Sequence, residues 1–267
     1  MKKTLFVVRF VLMGTFLFCA GCAKQALRAI PDTAGTEEKT PLAAPATLPA
    51  DTVLWNGDAE NGTGVWKVAQ NIEGSGTITT PTDPVYGLVW DFYKPAGSHR
   101  TEAHGAANFT AQEGDDIYIG WRSKLTIPAG QNTNAVFQWK AYGSAFPMLQ
   151  NYPIVVSTDS HNHLHVMYYS PGKIGHELWT TSLSADVWNT FTFRLKISRD
   201  STIGFIEWWY NGVHQSLSNG TTRYPARTLD AGWCDPKWGV YGGDPSNITN
   251  MVTSLRIATS YSLAAPH

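Results

Sequence analysis

The chain has 267 residues, 15% of them charged and 12% aromatic, with a formal net charge of −1 at pH 7. Setting aside Lys2, Lys3 and Arg9 of the N-terminal segment leaves 17 basic residues against 21 acidic ones. A general nucleic-acid binder is basic, so no nucleic-acid partner is expected, and any polyanion must be held by local cations rather than by the overall field.

Taken in chain order, Lys2 and Lys3 precede an apolar run from Leu5 to Phe18, which ends in Cys19-Ala20-Gly21-Cys22. This reads as a secretory signal over residues 1–22. The small residues before Cys22 resemble a bacterial lipobox with Cys22 as the lipidated residue, although Cys19 is atypical at its position. A plain cleaved signal is the alternative. Arg9 interrupts the apolar run and argues against a membrane span. The expected location is outside the cytoplasm, anchored at the outer membrane or cell surface or else secreted, with membrane contact through the lipid alone. Residues 23–50 carry Pro31, Pro41, Pro45 and Pro49 without an apolar period and read as a tether. With Cys19 and Cys22 in this N-terminal part, Cys234 is the lone domain thiol, so no intradomain disulfide is expected. No nucleophile signature surrounds it.

From residue 51 to 267 the texture is that of one β domain. Strands are expected over residues 52–55, 88–93, 100–104, 116–125, 134–142, 154–158, 163–169, 190–197, 204–210, 238–241 and 252–259. Turn signals such as Asn56-Gly57, Pro171-Gly172 and Asn219-Gly220 separate them. Phe191 to Ile197 alternates apolar and polar residues, and Asn211-Gly212 predicts a type I′ hairpin. Many short strands at this spacing predict an all-β, two-sheet sandwich of jelly-roll, concanavalin-like type. A monomer is expected. The sequons at Asn61, Asn108, Asn219 and Asn247 read as coincidental beside a bacterial-looking signal.

Three of these strands place polar residues two or four apart, and so on one face. They are Arg100 with Glu102, Gln138 with Lys140, and Lys237 with Tyr241. Trp139, Trp238 and Val240 between them suit a buried face. Each pair alone reads best as a solvated strand face or a cross-strand ion pair. Together they suggest a groove for an anionic, hydroxyl-rich ligand.

Arg100-Thr101-Glu102 resembles the R-[ST]-E motif of jelly-roll polysaccharide lyases. Gln138-Trp139-Lys140 is similar to their Q-x-H motif, and Lys237-Trp238-Gly239-Val240-Tyr241 to their K-x-G-V-Y motif. The order is the same, and the resemblance is nearest to the glucuronan lyase family (polysaccharide lyase family 20), with alginate lyases and heparin lyase-like proteins as relatives. It implies β-elimination on a polyuronate, an acidic polysaccharide, with no required cofactor. Arg100 and Gln138 would neutralise the substrate carboxylate, where enolate charge develops. Tyr241 would protonate the leaving oxygen. Lys140, Lys237 and Glu102 would contact substrate, and Lys237 would hold it or depress the Tyr241 hydroxyl. Lys140 stands where alginate lyases carry His, so an imidazole base must come from elsewhere. Strict alternation favours His104, on the Arg100 face. The resemblance favours His99, as a rim residue if the strand begins at Arg100.

Asn56, Asp58 and Glu60 offer oxygen ligands for a structural Ca²⁺, chiefly the carboxylates of Asp58 and Glu60, against a plainer Asx turn. His161, His163 and His165 alternate, but Asp159-Ser160-His161-Asn162 reads as a hairpin turn and no second cluster completes a shell, so an exposed, metal-free turn is expected. Two other functions compete. A jelly-roll glycoside hydrolase needs two flanking carboxylates; Glu113, Asp115 and Asp116 come nearest, without the usual strand pattern. A non-catalytic carbohydrate-binding module would use the many Trp and Tyr residues for stacking.

Overall fold

The computed structural model describes residues 48–267. The signal segment, Cys22 and most of the tether lie outside the described residues. The strands are β1 (Val53–Asn56), β2 (Trp66–Glu73), β3 (Thr77–Thr79), β4 (Thr82–Asp83), β5 (Gly87–Leu88) and β6 (Trp90–Lys94). Next come β7 (Arg100–Ala106), β8 (Asp116–Thr126), β9 (Thr133–Tyr142), β10 (Ile154–Thr158), β11 (His163–Ser170) and β12 (Ile174–Ser182). The last are β13 (Trp188–Lys196), β14 (Phe205–Tyr210), β15 (Val213–His214), β16 (Tyr224–Pro225), β17 (Trp233–Tyr241) and β18 (Ile248–Ala258).

All the pairings are antiparallel, and they build two large sheets. One runs β15-β14-β13-β8-β18-β6-β3, with β1 added on β18 and β16 on β14; the other runs β12-β11-β10-β9-β17-β7-β2. Alternation puts Phe191, Phe193 and Leu195 of β13 into the core, where Trp121 of β8 joins them. Phe137, Trp139 and Trp238 enter from the opposite sheet. The two sets interlock: Trp121 stacks on Phe191 at 5.2 Å and on Phe137 at 4.6 Å, and meets Trp238 edge-on at 5.9 Å. Large aromatic side chains thus supply the sandwich interior without a disulfide, and Cys234, buried and free, contributes only volume. The architecture is the expected all-β two-sheet sandwich.

The Asn211-Gly212 turn joins β14 to β15 with positive φ at both residues, 50° and 76°, as a type I′ turn requires. Two long strands, and the short β3, β4, β15 and β16, were not anticipated from the sequence. β2 and β12 are the two edges of the seven-stranded sheet, and most of their residues are exposed or half-buried. An edge strand needs little apolar alternation, so its sequence carries little of the signal. β17 begins at Trp233 rather than after Pro236. Pro236 is tolerated because β17 pairs there with β9 alone; pairing with β7 starts at Lys237.

Candidate active site

The three motif-bearing strands are neighbours, in the order β9-β17-β7. Tyr241 stands opposite Arg100, Gly239 opposite Glu102, and Lys237 between His104 on one side and Gln138 on the other. The Arg100 guanidinium lies over the Tyr241 ring, 5.0 Å from its centroid. Gly239 sets this geometry. Its φ is +136°, and a Cβ there would come within 2.2 Å of the Thr101 carbonyl oxygen. An extra residue is accommodated in β17 between Trp238 and Tyr241 relative to β9, so Tyr241 faces Ala135 rather than continuing the ladder.

Beneath the groove lies a buried ionic layer. Gln138 donates from Nε2 to Glu102 Oε1 at 2.6 Å, and Lys237 donates from Nζ to Glu102 Oε2 at 2.5 Å. Glu102 and Lys237 are only 2% and 1% exposed, so these two residues, expected among the substrate contacts, act as an internal brace. Burial pushes the Glu102 carboxyl up and the Lys237 ammonium down, and their direct contact opposes both shifts. The brace orients Gln138 and reaches Arg100, whose Nε lies 3.7 Å from Glu102 Oε2. Arg100 also pairs with Glu73 of β2 at 3.1 Å.

Above this layer, a cavity of about 170 Å³ is lined by Arg100, Gln138, Lys140, Asn151, Tyr152, Lys237 and Tyr241. A second, of about 320 Å³, shares Gln138, Tyr152 and Tyr241 and extends past Val155 and Ser157 of β10 to Tyr169 of β11. Together they trace a path across the strands. Cations and amides meet at one end and tyrosine rings line the other, which suits a chain of acidic sugars. Lys140 donates to Asn151 Oδ1 at 2.6 Å. Burial and then the neighbouring Lys237 charge lower its pKa.

The two histidines part ways. β7 begins at Arg100, so alternation does not govern His99, which turns its ring edge-on to Tyr241 with centroids 4.7 Å apart. Asp244 holds His99 Nδ1 at 2.9 Å, leaving Nε2 available. His104 sits on the sheet face beside Lys237, stacked on Tyr142 at 5.1 Å. Burial and the Lys237 charge lower its pKa to about 4, so it is neutral at pH 7. Asp244, Asn151, Tyr152 and Lys94 were not singled out from the sequence. Lys94 is fully buried, with its ammonium donating to the carbonyls of Pro95, Ser98, Gly243 and Ser246. It thereby ties together the two loops that carry His99 and Asp244. No local pattern announces such a carbonyl cage.

Of the residues expected to hold a structural Ca²⁺, Asp58 accepts from the Leu255 amide through Oδ1 and pairs with Arg256 through Oδ2 at 2.6 Å, while Glu60 is exposed. The Asx-turn bond is present, from the Asp58 amide to Asn56 Oδ1. Glu113 and Asp116 are taken up by Arg199 and Arg194, Asp116 on the nine-stranded sheet. Burial pushes the Cys234 thiol up to about 12, so it is inert as a nucleophile. Asp159, His163 and His165, expected as a plain turn with its following strand, bring their ligand atoms within 4.8 Å of one another.

The groove lies on the seven-stranded sheet of a two-sheet jelly-roll sandwich. The sequence matches the polysaccharide lyase family over residues 54–253, and the chain belongs to that family. Similar solved structures include the endo-β-1,4-glucuronan lyase from the fungus Trichoderma reesei, 17% identical with a TM-score of 0.59, over 80% of this chain and 99% of that one. The marine PL-14 alginate lyase from Aplysia kurodai is 10% identical with a TM-score of 0.53, over 78% of this chain and 100% of that one. A carbohydrate esterase from bacteriophage phi24B is 20% identical with a TM-score of 0.52, over 78% of this chain and 99% of that one. At these identities the likeness shows the fold alone. No curated protein matches the sequence.

Proposed function

We propose that the protein cleaves a 1,4-linked polyuronate of glucuronan type by β-elimination. The observation that carries this reading is the convergence of Arg100, Gln138 and Tyr241 at one end of a groove, with His99 against the Tyr241 ring, within a polysaccharide lyase. Arg100 and Gln138 receive the uronate carboxylate, and their donors strengthen as the C5 carbanion delocalises into it. His99, oriented by Asp244, takes the C5 proton. Tyr241 gives its proton to O4 as the C4–O4 bond breaks, leaving a C4–C5 double bond. His104 is not assigned the base role: it lies four residues along β7 from Arg100, roughly 13 Å away at strand spacing, too far for one sugar ring to meet both.

An acid and a base side by side act on one side of the ring. The C5 hydrogen and O4 must then lie on the same side, as they do in gluco- and manno-configured uronates and not in guluronate. Glu102 and Lys237 are positioning residues in this reading. The N-terminal segment supports a further proposal, that lipidation of Cys22 tethers the domain outside the cytoplasm; Cys22→Ser should then release it from membranes. The lyase reading is tested by incubating the protein with glucuronan, mannuronan and guluronan and following the ultraviolet absorbance of the new C4–C5 double bond. The first two should give the signal and guluronan should not. No signal from any of them overturns the reading.

A further inference from the structure

The hairpin between β10 and β11 carries a second cluster of reactive side chains, independent of the groove chemistry. Asp159 closes the turn: its Oδ1 accepts the amides of His161 and His163 at 2.9 and 2.8 Å. That fixes the carboxylate and turns Oδ2 toward three imidazoles. His163 Nδ1 lies 3.2 Å from Oδ2, His165 Nε2 3.4 Å and His161 Nδ1 3.6 Å.

His165 makes this arrangement unusual. Its Nδ1 contacts Glu177 Oε2 on β12 at 2.5 Å, so that nitrogen carries the proton. In the neutral ring, Nε2 then presents a lone pair to the Asp159 oxygen, and this buried atom has no hydrogen-bond partner. Two acceptors face each other across a space that a cation would fill. The spacing fits one. Donor atoms about 2.0–2.1 Å from a tetrahedral Zn²⁺ stand about 3.3–3.4 Å apart, close to the separations of Asp159 Oδ2 from His163 and His165. Glu177 supplies the carboxylate that commonly backs a metal-bound imidazole and fixes its tautomer.

We infer that Asp159, His163 and His165 form a binding site for a divalent transition metal of the Zn²⁺ class, with the exposed His161 available as a fourth ligand. Imidazole with a single carboxylate selects Zn²⁺ and its neighbours over Ca²⁺ or Mg²⁺. His165 stands opposite Ser157, which lines the larger cavity, so the site borders the far end of the groove face. A bound ion would pin the turn to β11 and add positive charge there.

The test is calorimetric titration of the full chain, stripped with a chelator, with Zn²⁺. One equivalent should bind, and Co²⁺ should give the visible absorption of a tetrahedral centre. His163→Ala/His165→Ala should abolish this equivalent, while Glu177→Gln should weaken it by about 10–100-fold. Thermal melting in chelator, equal for wild type and variants, shows that loss of binding is not loss of fold; a variant that melts early is replaced by Asp159→Asn. The inference is overturned if the wild type takes up no Zn²⁺, leaving the cluster a proton-charged turn. It is equally overturned if the His163→Ala/His165→Ala protein binds as the wild type does, which would place the metal elsewhere.

Discussion

Tyr241→Phe removes one hydroxyl and leaves the ring against Arg100 and His99. If that hydroxyl delivers the proton to O4, kcat should fall by roughly two to four orders of magnitude while KM changes little. Arg100→Ala removes a carboxylate contact made in ground and transition states alike, so KM should rise as kcat falls. Steady-state kinetics on the best polyuronate separates the two patterns; near-normal turnover in Tyr241→Phe would assign the acid elsewhere. His104 yields a different expectation. The folded protein keeps it neutral down to a pH of about 4, whereas the unfolded chain takes up a proton near the ordinary value of 6.5. Between these values the unfolded state binds more protons, so His104 lowers stability as pH falls through that window, by on the order of 1–3 kcal/mol. His104→Phe keeps the stack on Tyr142 and should flatten that part of the pH dependence in urea unfolding. An unchanged profile would mean that His104 is not depressed.

At the scale of the element, the site depends on three strands meeting in one register. Period-2 alternation made the shared face of Arg100, Glu102, Gln138, Lys140, Lys237 and Tyr241 legible in the sequence, because it needs only that each segment be a strand. It did not reveal which of these residues the neighbouring strands would cover. Glu102 and Lys237 have the expected parity yet are buried, since β17 and β7 bring opposite charges into contact. Alternation pointed to His104 rather than His99, which precedes β7, and was silent on Asp244 and Lys94, whose roles arise from loop contacts 145 to 152 residues apart in sequence. The brace itself can be tested. Lys237→Met leaves Glu102 buried without its partner and should cost about 3–5 kcal/mol, whereas Glu102→Gln/Lys237→Met should recover much of that loss. Denaturant unfolding of the three variants measures the coupling. A double variant no more stable than Lys237→Met would show that the pair is not the brace described above.

For the whole molecule, the fold was readable because its interior is aromatic and its turns carry strong local chemistry, as at Asn211-Gly212. The edges β2 and β12 escaped because half-exposed strands need no clear pattern. The sandwich alone does not determine the reaction, since a carbohydrate esterase shares it at a TM-score of 0.52. In the proposed reaction, what would separate elimination from hydrolysis is the chemistry of one groove end: donors for a carboxylate, with a tyrosine and an oriented histidine beside them. The most direct measurement is therefore the product of glucuronan cleavage, followed at once by ultraviolet absorbance and by new reducing ends, for wild type and Tyr241→Phe. The account predicts that absorbance and reducing ends rise together in the wild type and that both collapse in the variant. Reducing ends without the absorbance would mean hydrolysis, and would contradict it.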